Sequence, residues 1–293
     1  MLFIIINYKL YKLIFHYSKE IKVCLCAIGK NENKYAREFV EHYKNYGVDK
    51  IFIYDNNDID GERFNNILYD YIILKKVEII NFRGKKLMQL KMLNDCYKKN
   101  FKIYDWFILC DMDEFIQLKF YNNIKKYLNN HKFNECKVIY LFRAIHTDNN
   151  QLFYINKTLY ERFPNSIYNV YSPKPILRGN IPNLIVDNVH LVNWNIEPCY
   201  GFGEKKIKKK DFKYYYFDHF YFKSTEEFIE KLDRGDAYFN NTNILKFSKI
   251  SYYFESNKMT FEKLNYIEKK MGINLTVFKN KLLKKLKKEK KIL

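Results

Sequence analysis

Four apolar runs alternate with amphipathic segments over the first 115 residues. The runs are IKVCLCAI (21–28), KIFIYDNND (50–58), VEIINF (77–82) and WFILCDMDEF (106–115). Their continuous apolar stretches are typical of strands that are buried on both faces. The helices predicted between them are one that Gly47 ends, one from a cap at Asp60 to about Tyr71, and one from Lys85 to Lys99. This alternation predicts βαβ units and a parallel sheet.

The pattern changes after about residue 120, where strand-like segments follow one another with little helix between them. The segments are KVIYLFRAI (137–145), QLFYINKTLYERF (151–163), PILRG (175–179), VDNVHLVNW (186–194) and FKYYYFDHFYF (212–222). Ser224 and Glu227 form a capping box that opens a helix to about Leu232. The second half is therefore predicted to continue the sheet with a mixed, partly antiparallel arrangement.

These patterns predict an α/β protein whose mostly parallel, Rossmann-like sheet is flanked by helices. We expect one main domain over residues 21–258, divided into halves at 21–118 and 119–258. An apolar helix at 1–20 is expected before it, and a basic amphipathic helical tail at 259–293 after it. The N-terminal apolar run is too short and too charged for a transmembrane helix or an ordinary signal peptide.

Composition changes this picture mainly through charge. The 293 residues include 52 Lys+Arg and 33 Asp+Glu, which gives a formal charge of +19, and 47% of them are hydrophobic. This apolar content excludes a disordered chain, because enough apolar surface is available to offset the ordering entropy. Lys, Ile, Asn, Tyr and Phe are abundant together, as in AT-rich genomes, so part of the charge reflects codon usage.

The six cysteines are scattered, and most of them lie in apolar runs. They form no CxxC pair and no His/Cys cluster at zinc spacing, so a structural zinc site is not expected. We therefore expect buried free thiols in a reducing compartment, and a cytoplasmic protein, free or peripheral on the cytoplasmic face of a membrane.

Polar side chains follow each predicted strand of the first half. They are Lys30, Asn31 and Glu32 after the first strand, Asp55, Asn56 and Asn57 after the second, Arg83 after the third, and Asp111 and Asp113 after the fourth. Ligands of open α/β sheets bind at the carboxyl ends of the strands, so this edge is the predicted binding site. Taken singly, the first group is better explained as a helix start and the second as a polar turn.

The strongest motif is Asp111-Met112-Asp113-Glu114-Phe115, directly after an apolar strand. Two carboxylates at i and i+2 can converge on one hard divalent cation, which then neutralises a diphosphate. A solvated acidic turn is the alternative explanation. Phosphatases with an aspartate nucleophile also carry DxD after an apolar strand, but usually near the start of the fold.

Together these segments resemble the family-2-like and family-92-like glycosyltransferases, which have the GT-A fold. The matching residues are Lys30-Asn31-Glu32, Gly47-Val48, Ile53-Tyr54-Asp55-Asn56-Asn57, Gln89, Trp106, Asp111-Met112-Asp113-Glu114-Phe115, and downstream Asp218 to Ser224, Glu226, Glu227, Phe228, Lys231, Arg234 and Gly235. The resemblance covers roughly residues 21 to 236, and its combined spacing is much more specific than any single motif.

The resemblance implies a nucleotide-sugar donor, with a UDP-sugar favoured, and a hexosyltransferase-type reaction that inverts the anomeric centre. It implies Mn²⁺ or Mg²⁺ held by Asp111 and Asp113, with His219 as a late ligand. The expected donor-binding residues are Lys30, Asn31, Glu32, Asp55, Asn57, Arg83, Gln89, Asp111, Met112 and Lys223. His219 is nearly as well explained as a satisfied histidine in an aromatic strand.

Inversion requires a general base that deprotonates the acceptor hydroxyl. No motif identifies it, and the two carboxylates of the second half that we consider are Asp187, which is favoured because it lies near His190, and Glu197. The expected acceptor is a glycan or glycolipid, in the synthesis of surface polysaccharide or lipooligosaccharide.

Two segments concentrate the basic charge. KKIKKK at 205–210 has five lysines, and the tail at 279–291 repeats leucines on a strongly basic helix, as expected for contact with an anionic membrane. A solvated tail is nearly as plausible, and specific nucleic-acid binding is not expected because no reader fold is recognisable. The alternatives to a transferase are a non-catalytic binder of membrane or nucleic acid, and a metal-dependent phosphatase or nucleotidyltransferase.

Overall fold

The computed structural model describes residues 20–190, 192, 196–208, 210–235 and 243–289. The predicted N-terminal helix at 1–20 lies outside the described residues except for Glu20, as do residues 290–293 of the predicted basic tail.

The described residues form nine strands that belong to one sheet. The strands are β1 (Val23–Gly29), β2 (Lys50–Asp55), β3 (Val77–Asn81), β4 (Trp106–Asp111), β5 (Glu114–Leu118), β6 (Val138–His146), β7 (Ser166–Arg178), β8 (Cys199–Tyr200) and β9 (Tyr215–His219). The helices are α1 (Asn33–Asn45), α2 (Phe64–Ile67), α3 (Tyr69–Ile73), α4 (Gln89–Asn100), α5 (Ile124–Leu128), α6 (Leu159–Arg162), α7 (Asp211–Tyr214), α8 (Thr225–Asp233), α9 (Asn243–Ser256), α10 (Phe261–Met271) and α11 (Thr276–Glu289), with a 3-10 turn at His131–Phe133.

The first half of the sheet has the strand order β3-β2-β1-β4, and all of its neighbours are parallel. This confirms the predicted βαβ arrangement. In the register, Gly29 lies opposite Asp55 and Ile28 lies opposite Asp111, so β1, β2 and β4 end at the same level. The polar residues that follow these strands are thereby brought to one edge.

The second half continues the sheet in the order β7-β6-β9-β5, with antiparallel and parallel pairs mixed, as predicted. The pairing of β5 with β9 sets Glu114 opposite His219. β6 runs beside β9 and sets Ile145 opposite the same histidine. This register brings a late histidine back to the acidic motif after about a hundred residues of intervening chain.

The sheet is apolar on both faces because alternate residues of its central strands point to opposite sides. Leu25 of β1 packs in the cluster that contains Phe39 of α1, and Cys24 packs in the cluster that contains Met92 of α4. Phe39 is fully buried, and truncating such a side chain to alanine typically costs about 3–5 kcal/mol. A further cluster joins α8 to α11 around Tyr253.

Four local predictions were wrong. The segment at 151–163, predicted as strand-like, forms no strand, and its last part contains the short helix α6. Residues 60–61 form a turn and not a helix cap, and the predicted helix is two short helices, α2 and α3. The helix predicted from Lys85 begins only at Gln89, because Leu87 has a positive φ of 54°. Residues 186–190 form no strand, although their apolar residues Val186 and Val189 pack against the sheet.

The prediction of six free thiols was also wrong. Cys26 is bonded to Cys96, which joins β1 to α4, and Cys136 is bonded to Cys199. Cys24 and Cys110 are the free cysteines, and both are buried. The partners are 70 and 63 residues apart, so no local spacing reveals them. The expectation of a reducing compartment, which rested on free thiols, loses its support.

Among the described residues, no helix combines the length and the apolar character that crossing a bilayer would require.

With both disulfides formed, the protein should expose two thiols to a thiol reagent when it is produced under oxidising conditions and denatured without reductant. Closing loops of this length stabilises a fold by about 4 kcal/mol per bond in the chain-entropy model, so reduction should lower the melting temperature markedly. Thiol titration in denaturant and calorimetry with and without reductant measure both effects. Six reactive thiols without reductant would contradict the pairing.

Candidate functional site

A cavity of about 650 Å³ opens at the carboxyl ends of the parallel strands. Its lining carries seven Lys or Arg side chains against four Asp or Glu side chains. These are Lys30, Lys85, Lys86, Arg143, Lys231, Arg234 and Lys249, with Glu32, Asp111, Asp113 and Asp233. The cavity therefore favours an anionic ligand, although the acidic motif lies inside it.

The acidic motif lies on the tight connection between two strands. β4 ends at Asp111 and β5 begins at Glu114, whose Oε2 accepts a hydrogen bond from the backbone N–H of Asp111 at 3.0 Å. Met112 is buried, and its sulfur lies so close to Gly29 that a Cβ there would be 2.3 Å from it. The turn is thus anchored in the core on one side and borders the cavity on the other.

Asp111 is held by two donors. Its Oδ1 accepts from Gln89 Nε2 at 2.7 Å, and its Oδ2 accepts from Lys174 Nζ at 2.7 Å. Lys174 also lies 3.0 Å from Oε2 of the fully buried Glu114. Burial by itself would lower the pKa of Lys174, but the carboxylates of Asp111 and Glu114 outweigh it and raise that pKa above its ordinary value.

Asp113 is almost fully buried and is also paired. Its Oδ2 accepts from Lys231 Nζ of α8 at 2.7 Å, and its Oδ1 lies 3.4 Å from His219 Nε2. Burial opposes ionisation, but Lys231 and then His219 outweigh it and hold the pKa of Asp113 well below its usual range. Asp113 is therefore a carboxylate at neutral pH.

The hydrogen bonds of His219 define its tautomer. Arg143 Nη1 lies 3.0 Å from Nδ1 of the ring, and a guanidinium can only donate. Nδ1 is therefore the acceptor, which leaves the proton of the neutral ring on Nε2, facing Asp113. Burial, together with the charge of Arg143, lowers the pKa of His219 against the opposing effect of the Asp113 and Glu114 carboxylates, so the neutral ring is favoured.

The donor chemistry of this edge suits a divalent cation in part. Asp111 and Asp113 both border the cavity and offer the carboxylate oxygens that Mg²⁺ and Mn²⁺ prefer. His219 does not fit in this tautomer, because its Nε2 carries a hydrogen. Over the described part of the chain, no three His, Cys, Asp or Glu side chains form a metal cluster. A cation here would need further ligands from phosphate and water, as Mg²⁺ sites commonly have.

The first loop is tied to the end of α8 by a buried ion network. Glu32 accepts from Lys223 Nζ at 2.6 Å and from Arg234 Nη1 at 2.8 Å, and Arg234 also donates to the backbone oxygen of Lys30. Burial would raise the pKa of Glu32, but these two cations outweigh it and lower that pKa. Lys223 lies behind Glu32 and is not a lining residue of the cavity.

The predicted donor residues of the second and third strands stabilise a loop instead of lining the cavity. Arg83 donates to Asp55 Oδ2 at 2.8 Å and to four backbone carbonyls within residues 58–62. Asn57 donates to Asp55 and accepts from the backbone of Asn31 at 2.7 Å. The side chains of Asn31, Asp55, Asn57 and Arg83 all lie outside the lining of the cavity. Asn56, the neighbour of Asp55, lines it instead.

Neither predicted base reaches the cavity. Asp187 is exposed and is not among the lining residues, and Glu197 is paired with Lys205 at 2.5 Å on the surface. The structure therefore does not bring these two carboxylates to the site.

His190, close to Asp187 in the sequence, does line the cavity. Its Nδ1 lies 3.1 Å from the carbonyl of Pro173, so Nδ1 carries the proton and Nε2 is the acceptor nitrogen. Burial and then the charges of Lys174 and Arg143 lower the pKa of His190 to about 3. The ring is thus neutral, and it is a hydrogen-bond acceptor more than a base.

Sequence reasoning missed Lys174, Arg143 and Asp233. Arg143 carried a usable signal, since an arginine inside the apolar strand KVIYLFRAI needs a buried acidic partner. Lys174 and Asp233 carried none, because only the pairing of β4 with β7 brings Lys174 to the acidic turn, and only the placement of α8 brings Asp233 to the cavity.

An α/β sheet with an acidic turn and a cationic cavity at its carboxyl edge is the architecture expected of a glycosyltransferase of the GT-A type. The chain belongs to glycosyltransferase family 92, whose family model matches residues 19–249. This confirms the resemblance and the fold class predicted from the sequence.

Solved structures of TarS from S. aureus are similar to part of the chain. TarS 1–349 in complex with UDP has 15% identity and a TM-score of 0.35, over 54% of this chain and 47% of that one. TarS 1–349 in complex with UDP-GlcNAc has 13% identity and a TM-score of 0.36, over 54% and 45%. The chain thus spans about half the length of these structures, and the TM-scores are too low to transfer what TarS binds. No curated protein matches the chain.

The buried cluster around Lys174 predicts a large effect of removing its charge. Lys174→Met leaves Glu114 buried without its main counter-charge, and breaking such a pair costs about 3–5 kcal/mol. Denaturant unfolding measures the loss in free energy of unfolding, and adding Glu114→Gln should recover part of it. Lys34→Met, which breaks an exposed pair with Glu230, is the control and should cost less than about 1 kcal/mol. Equal effects of the two lysine variants would contradict the cluster.

Proposed function

We propose that this protein transfers a sugar from a nucleoside diphosphate-sugar, with a UDP-sugar favoured, to a glycan or glycolipid acceptor. Membership of a glycosyltransferase family supports the reaction class. The single observation that supports a nucleoside diphosphate-sugar as the donor is the composition of the cavity. Seven cationic side chains surround an acidic turn there, at the carboxyl edge of the sheet. Such a lining attracts a diphosphate, whereas a neutral sugar alone would gain little from it.

Lys231 and Arg234 support a role in binding the diphosphate. Both line the cavity from the end of α8, and both are held by carboxylates, Lys231 by Asp113 and Arg234 by Glu32. Pairing orients the cations without neutralising the surplus of positive charge in the cavity. Arg234 is the better suited of the two to bidentate contact with phosphate oxygens.

A divalent cation, Mn²⁺ or Mg²⁺, is proposed on Asp111 and Asp113. When bound, it would supply positive charge that stabilises the leaving diphosphate. Gln89 and Lys174 hold Asp111 in place, and Lys231 and His219 do the same for Asp113. We assign His219 to orientation of Asp113 by hydrogen bonding, because its Nε2 carries the proton.

Asp233 is the lining carboxylate that best suits the general base of an inverting transfer. Glu32, Asp111 and Asp113 are each held by a cation within 2.8 Å. Asp233 is 58% exposed, and its only ion pair within the described ranges is with Lys246 at 3.4 Å. An exposed carboxylate on the cavity wall without a short ion pair can form a direct hydrogen bond with an acceptor hydroxyl.

The donor proposal predicts that UDP with Mn²⁺ stabilises the protein against heat. At about a hundredfold excess over Kd, binding adds about 2.7 kcal/mol, which corresponds to roughly 5 °C in a protein of this size. Asp113→Asn should remove the Mn²⁺-dependent part, and EDTA should do the same with the unchanged protein. Asp187→Asn, at an exposed position outside the cavity, is the matched control. A wild-type protein that UDP and Mn²⁺ leave unchanged would overturn the proposal.

The assignment of the base predicts a different signature. Asp233→Asn should reduce kcat for donor turnover by about a hundredfold or more, while the affinity for UDP stays within about twofold. A screen of UDP-, GDP- and CMP-sugars for donor hydrolysis identifies the substrate for this measurement. An Asp233→Asn enzyme with unchanged kcat would remove Asp233 from the mechanism and leave the donor site untouched.

A further inference from the structure

The two lysine-rich segments differ in how their charge is compensated. In the loop at 205–210, Lys205 pairs with Glu197 at 2.5 Å, and Lys208 and Lys210 pair with Glu204 at 2.5 and 3.5 Å. The loop that is most basic in sequence is therefore partly neutralised by acids beside it.

The C-terminal helix α11 is different in its last two turns. Lys279 and Lys281 pair with acids of neighbouring helices, Glu268 and Glu255. Among the side chains that the structure describes, none forms an ion pair with the later lysines of α11, which are Lys284, Lys285, Lys287 and Lys288. Positive charge is thus concentrated near the end of the helix.

The same turns also expose apolar side chains. Phe278 and Leu282 form the buried side of α11, with Leu275 just before the helix, and all three are at most 8% exposed. Leu283 and Leu286 follow them on the adjoining side of the helix and are 43% and 40% exposed. The apolar stripe therefore extends past the packed part of the helix and into solvent, among the unpaired lysines.

We propose that the last two turns of α11 bind an anionic lipid bilayer. The exposed leucines would enter the interface, while the lysine stems extend along the surface and their ammonium groups reach lipid phosphates. Because this end of α11 is positively charged, its partner is expected to be anionic. A nucleic acid would pair with the lysines but would not bury the exposed leucines. Phe278, the one aromatic residue of α11, packs against Phe254 and offers no surface on which a base could stack.

The position of α11 links this surface to the cavity. Phe278 packs against Phe254 of α9, with ring centroids 5.4 Å apart, and Lys249 of the same helix lines the cavity. One helix thus contacts both the bilayer-binding helix and the site. A lipid-linked acceptor would then be presented near the cavity; this consequence rests on the proposed function, whereas bilayer binding does not.

The test is co-sedimentation of the full chain with vesicles of phosphatidylcholine, with and without phosphatidylglycerol. The wild type should bind the anionic vesicles and not the neutral ones. Replacing the four unpaired lysines of α11 by glutamine should weaken binding by more than about tenfold. The matched control replaces Lys205, Lys206, Lys208 and Lys210 by glutamine; it removes the same charge and should change binding by less than about twofold. Melting temperatures confirm that both variants fold.

A second variant separates lipid from other polyanions. Leu283→Ser with Leu286→Ser keeps the net charge and should weaken binding to anionic vesicles several-fold, without affecting the weak binding of duplex DNA. Absence of vesicle binding by the wild type, or an equal loss in the loop control, would overturn the proposal. Duplex DNA bound as tightly as the vesicles, with no effect of the leucine variant, would instead assign the surface to nucleic acid.

Discussion

The compensation of buried acids by cations from distant parts of the chain is the constraint on which the site depends. Glu114 is fully buried, which opposes its ionisation, but neighbouring cations, Lys174 above all and also Arg143, lower its pKa. Burying a charge is costly unless it is paired and hydrogen-bonded, so these contacts define the position of the acidic turn. The ionised state of Asp113 likewise depends on Lys231. A donor site can form here because the fold has already ordered the groups that would meet it.

Much of the fold and the location of the site could be predicted from the sequence. The apolar runs of the first half are strands because they are buried on both faces, and their polar ends share an edge because parallel strands end together. The same reasoning could not tell which polar residues face the cavity. Asp55 and Arg83 form an ion pair with each other and stabilise a loop outside the cavity. Lys174 reaches Asp111 only through the pairing of β4 with β7. Side-chain partners depend on strand order, and local patterns do not encode it.

The sequence likewise does not show which of the basic residues are paired with acids in the fold. A formal charge of +19 suggests a broadly basic surface, and two lysine-rich segments look equivalent in sequence. In the structure, nearby acids pair with lysines of the loop at 205–210, whereas the last four lysines described in α11 form no ion pair with a described side chain. The cavity combines an acidic turn with more cationic than acidic side chains. In the proposed function, the acids of the cavity would hold a metal ion, and the cations would bind the phosphate groups of the donor.

The most direct measurement of the central claim is a crystal structure of the protein grown with UDP and Mn²⁺, with the metal located by its anomalous scattering. We expect a diphosphate in contact with Lys231 and Arg234, and Mn²⁺ bound by Asp111 and Asp113. Nucleotide bound away from this cavity, or a metal on neither carboxylate while the diphosphate occupies the site, would contradict it.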